Sequence, residues 1–363
     1  MTHRTRTALA VGVLTLVVGG AYAWHVWRSP STDPRELLLR QMPAAADSVV
    51  YADLDALRQT RFLQELYSWA PRPAEDADYQ QFVRDTGFNY ETDLRRVAIA
   101  LENHDGAARF FAVADGHFDR KKIQAYALRT GKRETHGGRD FYIVPSSPGN
   151  PEVTFTFLAG EQIAISNDAN AEEQLSAPHE RADAEWLTRF RRLSGTPVFI
   201  LMKQSASAAQ SIASQAPGGL RSPQLATLLG EMQWLSVGGI PRGEYLQLVA
   251  EGETADEQVS RQLADFLNGA LVLAEAGLNG AKLRAQLNGP TRQTYLDLLK
   301  TADVSRVDRG ETKSVRLVLD VSPALLELAR NAQSEAAEPP PARPTTDKRK
   351  STHAVRSKAA MKP

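Results

Sequence analysis

The chain has 363 residues, 43 basic and 43 acidic side chains, and no cysteine. The missing thiols exclude disulfide staples, a lipidated N-terminal cysteine and a cysteine nucleophile, and the chain is long enough to bury a core without staples. Three basic and no acidic residues lie in 1–28, and seven basic and one acidic lie in 339–363. The intervening body therefore holds 33 basic against 42 acidic residues and is by charge a poor partner for nucleic acid.

Arg4 and Arg6 precede an uncharged, mostly apolar run from Ala8 to Trp27, which Arg28 closes. Residues 7–27 reach the length of about 20 residues needed to cross a bilayer, and Trp24 and Trp27 sit at the end where indoles favour the interface. The same stretch also reads as a signal peptide. Ala8 to Val18 is an apolar core, Gly19-Gly20 weakens the helix, and Ala21-Tyr22-Ala23 offers a cleavage site before Trp24. The apolar run continues past that site, which favours an uncleaved anchor. Either reading places residues 29–363 outside the cytoplasm, with the N-terminus inside.

Residues 29–46 read as a stem, with a helical turn or two between Arg35 and Gln41. Val49 to Tyr51 is a strand, followed by a helix carrying Leu54, Leu57, Leu63, Leu66 and Tyr67 and capped by Asp53 or Asp55. A second helix covers Tyr79 to Thr86. A hairpin pairs Arg96–Glu102 with Ala108–Ala114 around Asn103-His-Asp-Gly106. Asp119 caps a helix to Thr130. Two more hairpins follow, Lys132–Thr135 with Asp140–Val144 and Val153–Leu158 with Gln162–Ser166, and then helices over Ala169–Leu175 and Asp183–Arg192.

The pattern then restarts. Pro197–Met202 is a strand and Ser205–Gln215 a helix, and Ser222-Pro223 opens another helix. Trp234–Ile240 and Tyr245–Gly252 form a hairpin. Thr254 to Glu257 is a capping box for a long helix carrying Val259, Leu263, Phe266, Leu267 and Leu271. Leu283–Leu287 reads as a strand, Thr291–Thr301 as a helix, Ser314–Asp320 as a strand and Ala324–Asn331 as a helix. The order strand–helix–helix–strand–turn–strand–helix thus occurs twice, which predicts an α+β fold of antiparallel sheets covered by helices, with an internal duplication. The first repeat spans 47–195 and the second 196–332. Residues 333–363 are Pro-rich, basic and without large apolar side chains, as in disordered tails.

The chemistry-bearing patterns are sparse. Ser236 lacks the glycine of a nucleophile elbow, and no serine is followed three residues later by lysine. His104, His117 and His136 lie in turns near Asp105, Asp115 and Asp119, but no helical His pair accompanies them; they read as polar turn residues, and no metal is assigned. Gly277-Leu-Asn-Gly280-Ala-Lys282 departs from phosphate-loop spacing and reads as a helix end, and no cofactor is assigned. Asp53 and Asp55 are paired carboxylates whose plainer role is capping. Arg189, Arg191 and Arg192 read as a solvated helix end, and Phe110, Phe111, Phe155 and Phe157 as sheet core.

The string Pro43-Ala-Ala-Ala-Asp47-Ser-Val-Val-Tyr51-Ala-Asp53-Leu54 resembles the opening of the extracytoplasmic domain in uncharacterised, membrane-anchored bacterial proteins. The resemblance implies an N-terminal membrane segment followed by α+β repeats, and no known activity. The expected function is a single-pass, extracytoplasmic (periplasmic) binding or scaffold protein of the cell envelope without catalysis. It would be held by residues 7–27, with Arg343, Lys348, Arg349, Lys350, Arg356, Lys358 and Lys362 able to contact anionic lipid or cell-wall polymer. The alternatives are a hydrolase-like enzyme whose carboxylate and His residues meet only in the fold, and a secreted soluble binder.

Overall fold

Val49 to Tyr51 and Phe199 to Leu201 are short apolar runs, too short to form a stable sheet alone, and they pair with each other. In the computed structural model the register sets Val50 opposite Ile200 and Tyr51 opposite Phe199. The structure describes residues 34–43, 45–64, 77–104, 107–145, 151–168, 170–176, 184–193, 195–215 and 222–328.

The first half runs α1 (Pro34–Leu39), β1 (Ser48–Asp53), α2 (Leu54–Arg58), α3 (Ala77–Thr86), α4 (Tyr90–Asp93), β2 (Leu94–His104), β3 (Ala107–Gly116) and α5 (Arg120–Thr130). It continues through β4 (Lys132–His136), β5 (Arg139–Val144), β6 (Val153–Phe157), β7 (Gln162–Ser166), α6 (Ala171–Ser176) and α7 (Ala184–Arg192). The second half runs β8 (Val198–Lys203), α8 (Ala206–Gln215), α9 (Pro223–Gly230), β9 (Trp234–Arg242), β10 (Tyr245–Thr254) and α10 (Glu257–Asn279). It ends with α11 (Ala281–Gln286), α12 (Gly289–Thr301), β11 (Asp303–Asp308), β12 (Lys313–Val321) and helical residues 323–328.

The fold is α+β. Among the described residues twelve strands join one antiparallel sheet in the order β11-β12-β10-β9-β8-β1-β2-β3-β7-β6-β5-β4. The plural sheets expected from the sequence are one, because β1 and β8 bond to each other at its centre. Walking outward from that pair, Val50 meets Ile99, Ala112 and Ile165 on one side, and Ile200 meets Val237, Ala250 and Leu317 on the other.

Alternation sends Val49, Tyr51, Phe199 and Leu201 to one face, where α1, α6 and α7 cover them with Leu38, Leu39, Leu175, Trp186 and Phe190. Tyr51 and Phe199 stack at 5.1 Å and are almost wholly buried, each contributing about 1.5–3 kcal/mol. On the other face α5 seats Ile123 and Ala127 on Ala114, Tyr142 and Phe155, and α8, α9 and α10 cluster with Val315. Between these helical layers the sheet centre is less covered: Val50, Ile99 and Val237 are half-buried, while Ile200 and Leu101 are 37% and 40% exposed.

Several predicted features change. The stem is part of the core, since Leu38, Leu39, Met42 and Ala46 are each no more than 5% exposed. Glu36, also buried, is gripped by Arg40 at 2.9 Å and by Arg191 of α7 at 2.7 Å. The helix expected from Leu54 to Tyr67 breaks at residues 59 and 60, resumes over 61–64, and its remainder lies outside the described residues. Leu283–Leu287 is not a strand. Gly280 ends α10 and starts α11, so this apolar stretch continues as helix. Strand β11 escaped the sequence reading because Asp303, Arg306 and Asp308 mask its alternation on the sheet edge. The long helix is capped by Asp256, which accepts from Gln258 and Val259 N–H, while Thr254 remains in β10. Among the described residues no helix is long and apolar enough to cross a membrane; residues 7–27 lie outside them.

Of the three arginines read as a solvated helix end, Arg191 and Arg192 are exposed and Arg189 is buried. Arg189 is 8% exposed, donates to Glu253 at 2.9 Å and lies 4.0 Å from the Trp234 ring centroid; Arg192 reaches the other oxygen of Glu253 at 2.7 Å. Two cations around one buried carboxylate offset the desolvation of both partners. Glu253→Ala is expected to destabilise the fold by about 3–5 kcal/mol, because it leaves Arg189 buried and unpaired. Glu244→Ala, which removes the exposed pair with Arg61, is expected to cost less than about 1 kcal/mol. Urea unfolding midpoints of the two variants measure the difference.

Candidate functional site

Antiparallel pairing brings the end of β1 beside the start of β2, and the start of β2 beside the end of β3. Asp53 therefore faces Arg96, and Arg96 faces Asp115. The three form a chain of charges along one rim of the sheet. Asp53 Oδ1 accepts from Ala56 N–H at 2.9 Å as the cap of α2, and its Oδ2 lies 3.6 Å from Arg96 Nε and 3.9 Å from Arg35 Nε. Arg96 donates to Asp115 at 2.9 Å. Arg95 donates to the other oxygen of Asp115 at 2.6 Å and to Glu161 at 2.7 Å, and Glu161 stands 3.4 Å from His117 Nδ1.

At the end of this chain lies an open cavity of about 340 Å³, lined by Thr86, Gly87, Phe88, Asp93, His117, Phe118, Asp119, Lys122 and Glu161. Phe88 and Phe118 stack at 5.2 Å, giving it one apolar side. Asp119 caps α5 by accepting from Lys122 N–H, as the sequence indicates. The cavity takes in His117 and none of Asp53, Asp55 and His136.

Hydrogen bonding shifts Arg95, Glu161 and Asp119 away from neutral-pH titration. The hydrogen bond with Asp115 raises the Arg95 guanidinium above its already high range. The hydrogen bond from Arg95 holds the Glu161 carboxyl below the usual carboxylate range, and the backbone N–H of Lys122 does the same for Asp119. In the second half, burial pushes Glu251 up, but hydrogen bonds from Arg309 and Arg316 outweigh it and hold its pKa below the ordinary value. A general acid or base works best with a pKa near the working pH, and these shifts run the other way. They make fixed charges, suited to holding structure or a polar ligand.

The remaining predicted residues are dispersed. Asp55 pairs with Arg58 at 2.8 Å, away from the Asp53 network, so the two carboxylates do not act as a pair. His136 stands on the edge strand β4, away from this network, with Glu172 at 2.6 Å and Glu134 at 3.6 Å. The His104 side chain and Asp105 lie outside the described residues, as do Arg343, Lys348, Arg349, Lys350, Arg356, Lys358 and Lys362. Ser236 lies within β9 and its hydroxyl donates to the Glu251 carbonyl at 3.4 Å. Sequence reasoning missed Arg95, Arg96 and Glu161. The signal was the Arg pair opening a hairpin whose second strand ends in Asp115.

No family model matches the chain, and no curated protein matches it. Among solved structures it is similar to TP0453. Crystal form I is 11% identical over 81% of this chain and 96% of that chain, with a TM-score of 0.42. Form IV is 11% identical over 80% and 95%, with a TM-score of 0.43, and form III is 12% identical over 81% and 97%, with a TM-score of 0.42. This likeness carries no information about activity.

Arg96 donates a hydrogen bond to Asp115 and pairs with Asp53 at 3.6 Å, and a charged hydrogen bond contributes about 1.5–3 kcal/mol. Arg96→Ala is expected to destabilise the fold by about 2–3 kcal/mol. Arg96→Lys recovers part of that, because one ammonium lacks the guanidinium fork. His117→Ala, at a well-exposed side chain, is expected to stay within about 0.5 kcal/mol. Thermal and urea unfolding of the three variants give the comparison.

Proposed function

We propose that this chain is a single-pass, membrane-anchored protein whose body, outside the cytoplasm, binds or scaffolds components of the cell envelope without catalysing a reaction. The carrying observation is the state of its buried carboxylates. Asp53, Asp115, Glu251 and Glu253 are each matched by arginine, an arrangement that commits them to holding structure. The place of action rests on the apolar run 7–27 with Arg4 and Arg6 before it. The rival, an enzyme whose His and carboxylate residues meet in space, has the His117 cavity and the Glu134–His136–Glu172 cluster in its favour.

The packing of α1 supports a body held close to the bilayer. Residues 28–33 span at most roughly 20 Å, and from Pro34 onward the chain is helix docked on the core. The matched rows beside β1 and β8 support an origin of residues 47–195 and 196–332 by duplication. A pseudo-symmetric sheet of this kind presents one extended surface, and its less covered apolar centre at Ile200 and Leu101 suits contact with a partner.

The anchor reading is tested by membrane extraction at alkaline pH. The full chain is expected to stay in the pellet and residues 29–363 to be soluble; a mature N-terminus at Trp24 would overturn it. The tail reading assigns Arg343, Lys348, Arg349, Lys350, Arg356, Lys358 and Lys362 to anionic lipid or cell-wall polymer. Deleting 339–363 is expected to weaken binding of the body to anionic envelope fractions at low salt, with little difference at high salt. Equal low-salt binding of both forms would remove the tail from the reading.

A further inference from the structure

Glu134 and His136 are two residues apart on β4, so strand alternation sends both to the same face. That face carries α6, whose second residue is Glu172. One oxygen or nitrogen of each of the three lies within 4.8 Å of the others. His136 Nε2 is 2.6 Å from a Glu172 oxygen and 3.6 Å from Glu134 Oε2. We propose that Glu134, His136 and Glu172 form a binding site for a divalent cation of the zinc class.

The chemistry of the donors selects the ion. An imidazole nitrogen disfavours calcium and magnesium, which take oxygen ligands, and suits zinc with carboxylate co-ligands. Zinc bonds of 2.0–2.2 Å place neighbouring tetrahedral ligand atoms about 3.3 Å apart. The Glu134–His136 separation is already close to that, and the long Glu172 side chain, 26% exposed, has to retreat by less than about 1 Å. Glu134 keeps Oε2 for the cation while Oε1 receives Lys132 Nζ at 2.6 Å, a contact that orients the ligand. The frame is fixed on both sides. The Gly137-Gly138 turn closes β4 onto β5 with positive φ at both glycines, and Arg139, opposite His136, donates to the Leu175 carbonyl at the end of α6. Among the described residues, Lys132 is paired with Glu134 itself, Arg133 with Asp140, and Arg139 with the Leu175 carbonyl. Three protein ligands leave one position for water, and the bound ion would staple the edge hairpin to α6.

The test is calorimetric titration of the whole chain with Zn²⁺ and with Ca²⁺. One zinc site is expected, weakened by more than about tenfold in both His136→Gln and Glu172→Gln and unchanged in His117→Gln. Calcium is expected to bind far more weakly. Zinc affinity unaffected by both substitutions would overturn the proposal, as would calcium binding of equal strength, which would mark a plain acidic cluster. The unaltered chain gives a second reading. Zinc is expected to protect His136, and not His117, from acylation by diethyl pyrocarbonate, read by peptide mass spectrometry. Equal modification of His136 with and without zinc would overturn it as well.

Discussion

The pairing of β1 with β8 is the constraint on which the rest depends. Each half of the chain builds its own hairpin outward from one of these strands, and each would end on an open strand edge if the two did not meet. Their union hides both edges and creates the position where Tyr51 stacks on Phe199 and meets Phe190. An exposed inner edge of this length would invite pairing with another chain, so the contact that makes one sheet also protects it. The outer edges are guarded differently, by charged side chains on β4 and β11.

The same antiparallel geometry explains why the ion pairs concentrate at a strand end. Strands that reverse at each step bring the last residue of one beside the first of the next. Acids at the ends of β1 and β3 thereby meet the arginines that open β2. The second half uses another solution at the corresponding place. There the arginines come from α7 and reach Glu253 from above the sheet, with Trp234 and Trp186 packed edge to face beside them. The first half balances Asp115 within the sheet; the second borrows the arginines for Glu253 from the helix that links the halves, while Glu251 is met within the sheet by Arg316 of β12.

Much of this was legible because it is local. Alternating Val, Ile and Phe, a turn of Gly or Asn, and an Asp or Ser ahead of an apolar period located most strands and helix starts, including the caps at Asp119 and Ser222. The failures were cases where a partner distant in sequence decided. Arg189 looks solvated until β10 delivers Glu253. Residues 29–46 look like a stem until Leu38, Leu39 and Met42 find the sheet. Leu283 to Leu287 consists of strong helix formers, and the helix they favour is the one that forms, while β11 is an edge whose exposed side carries charge. At the site level, Asp53 as a cap was readable, whereas its bridge to Asp115 through Arg96 required the register. His136 was noticed for its side chain, but its partner Glu172 lies 36 residues further on, across three strands.

The docking of α1 gives the body two different susceptibilities to proteolysis. A cut between residues 28 and 33 would separate it from any preceding segment and leave every described contact intact, so a shed form would keep the fold. A cut a little further on, after Met42, would remove Leu38, Leu39 and the buried Glu36 from the core and free Arg191. Harmless cleavage and damage to the core are thus separated by about two turns of helix, and the first residues of the body act as a latch rather than a leash.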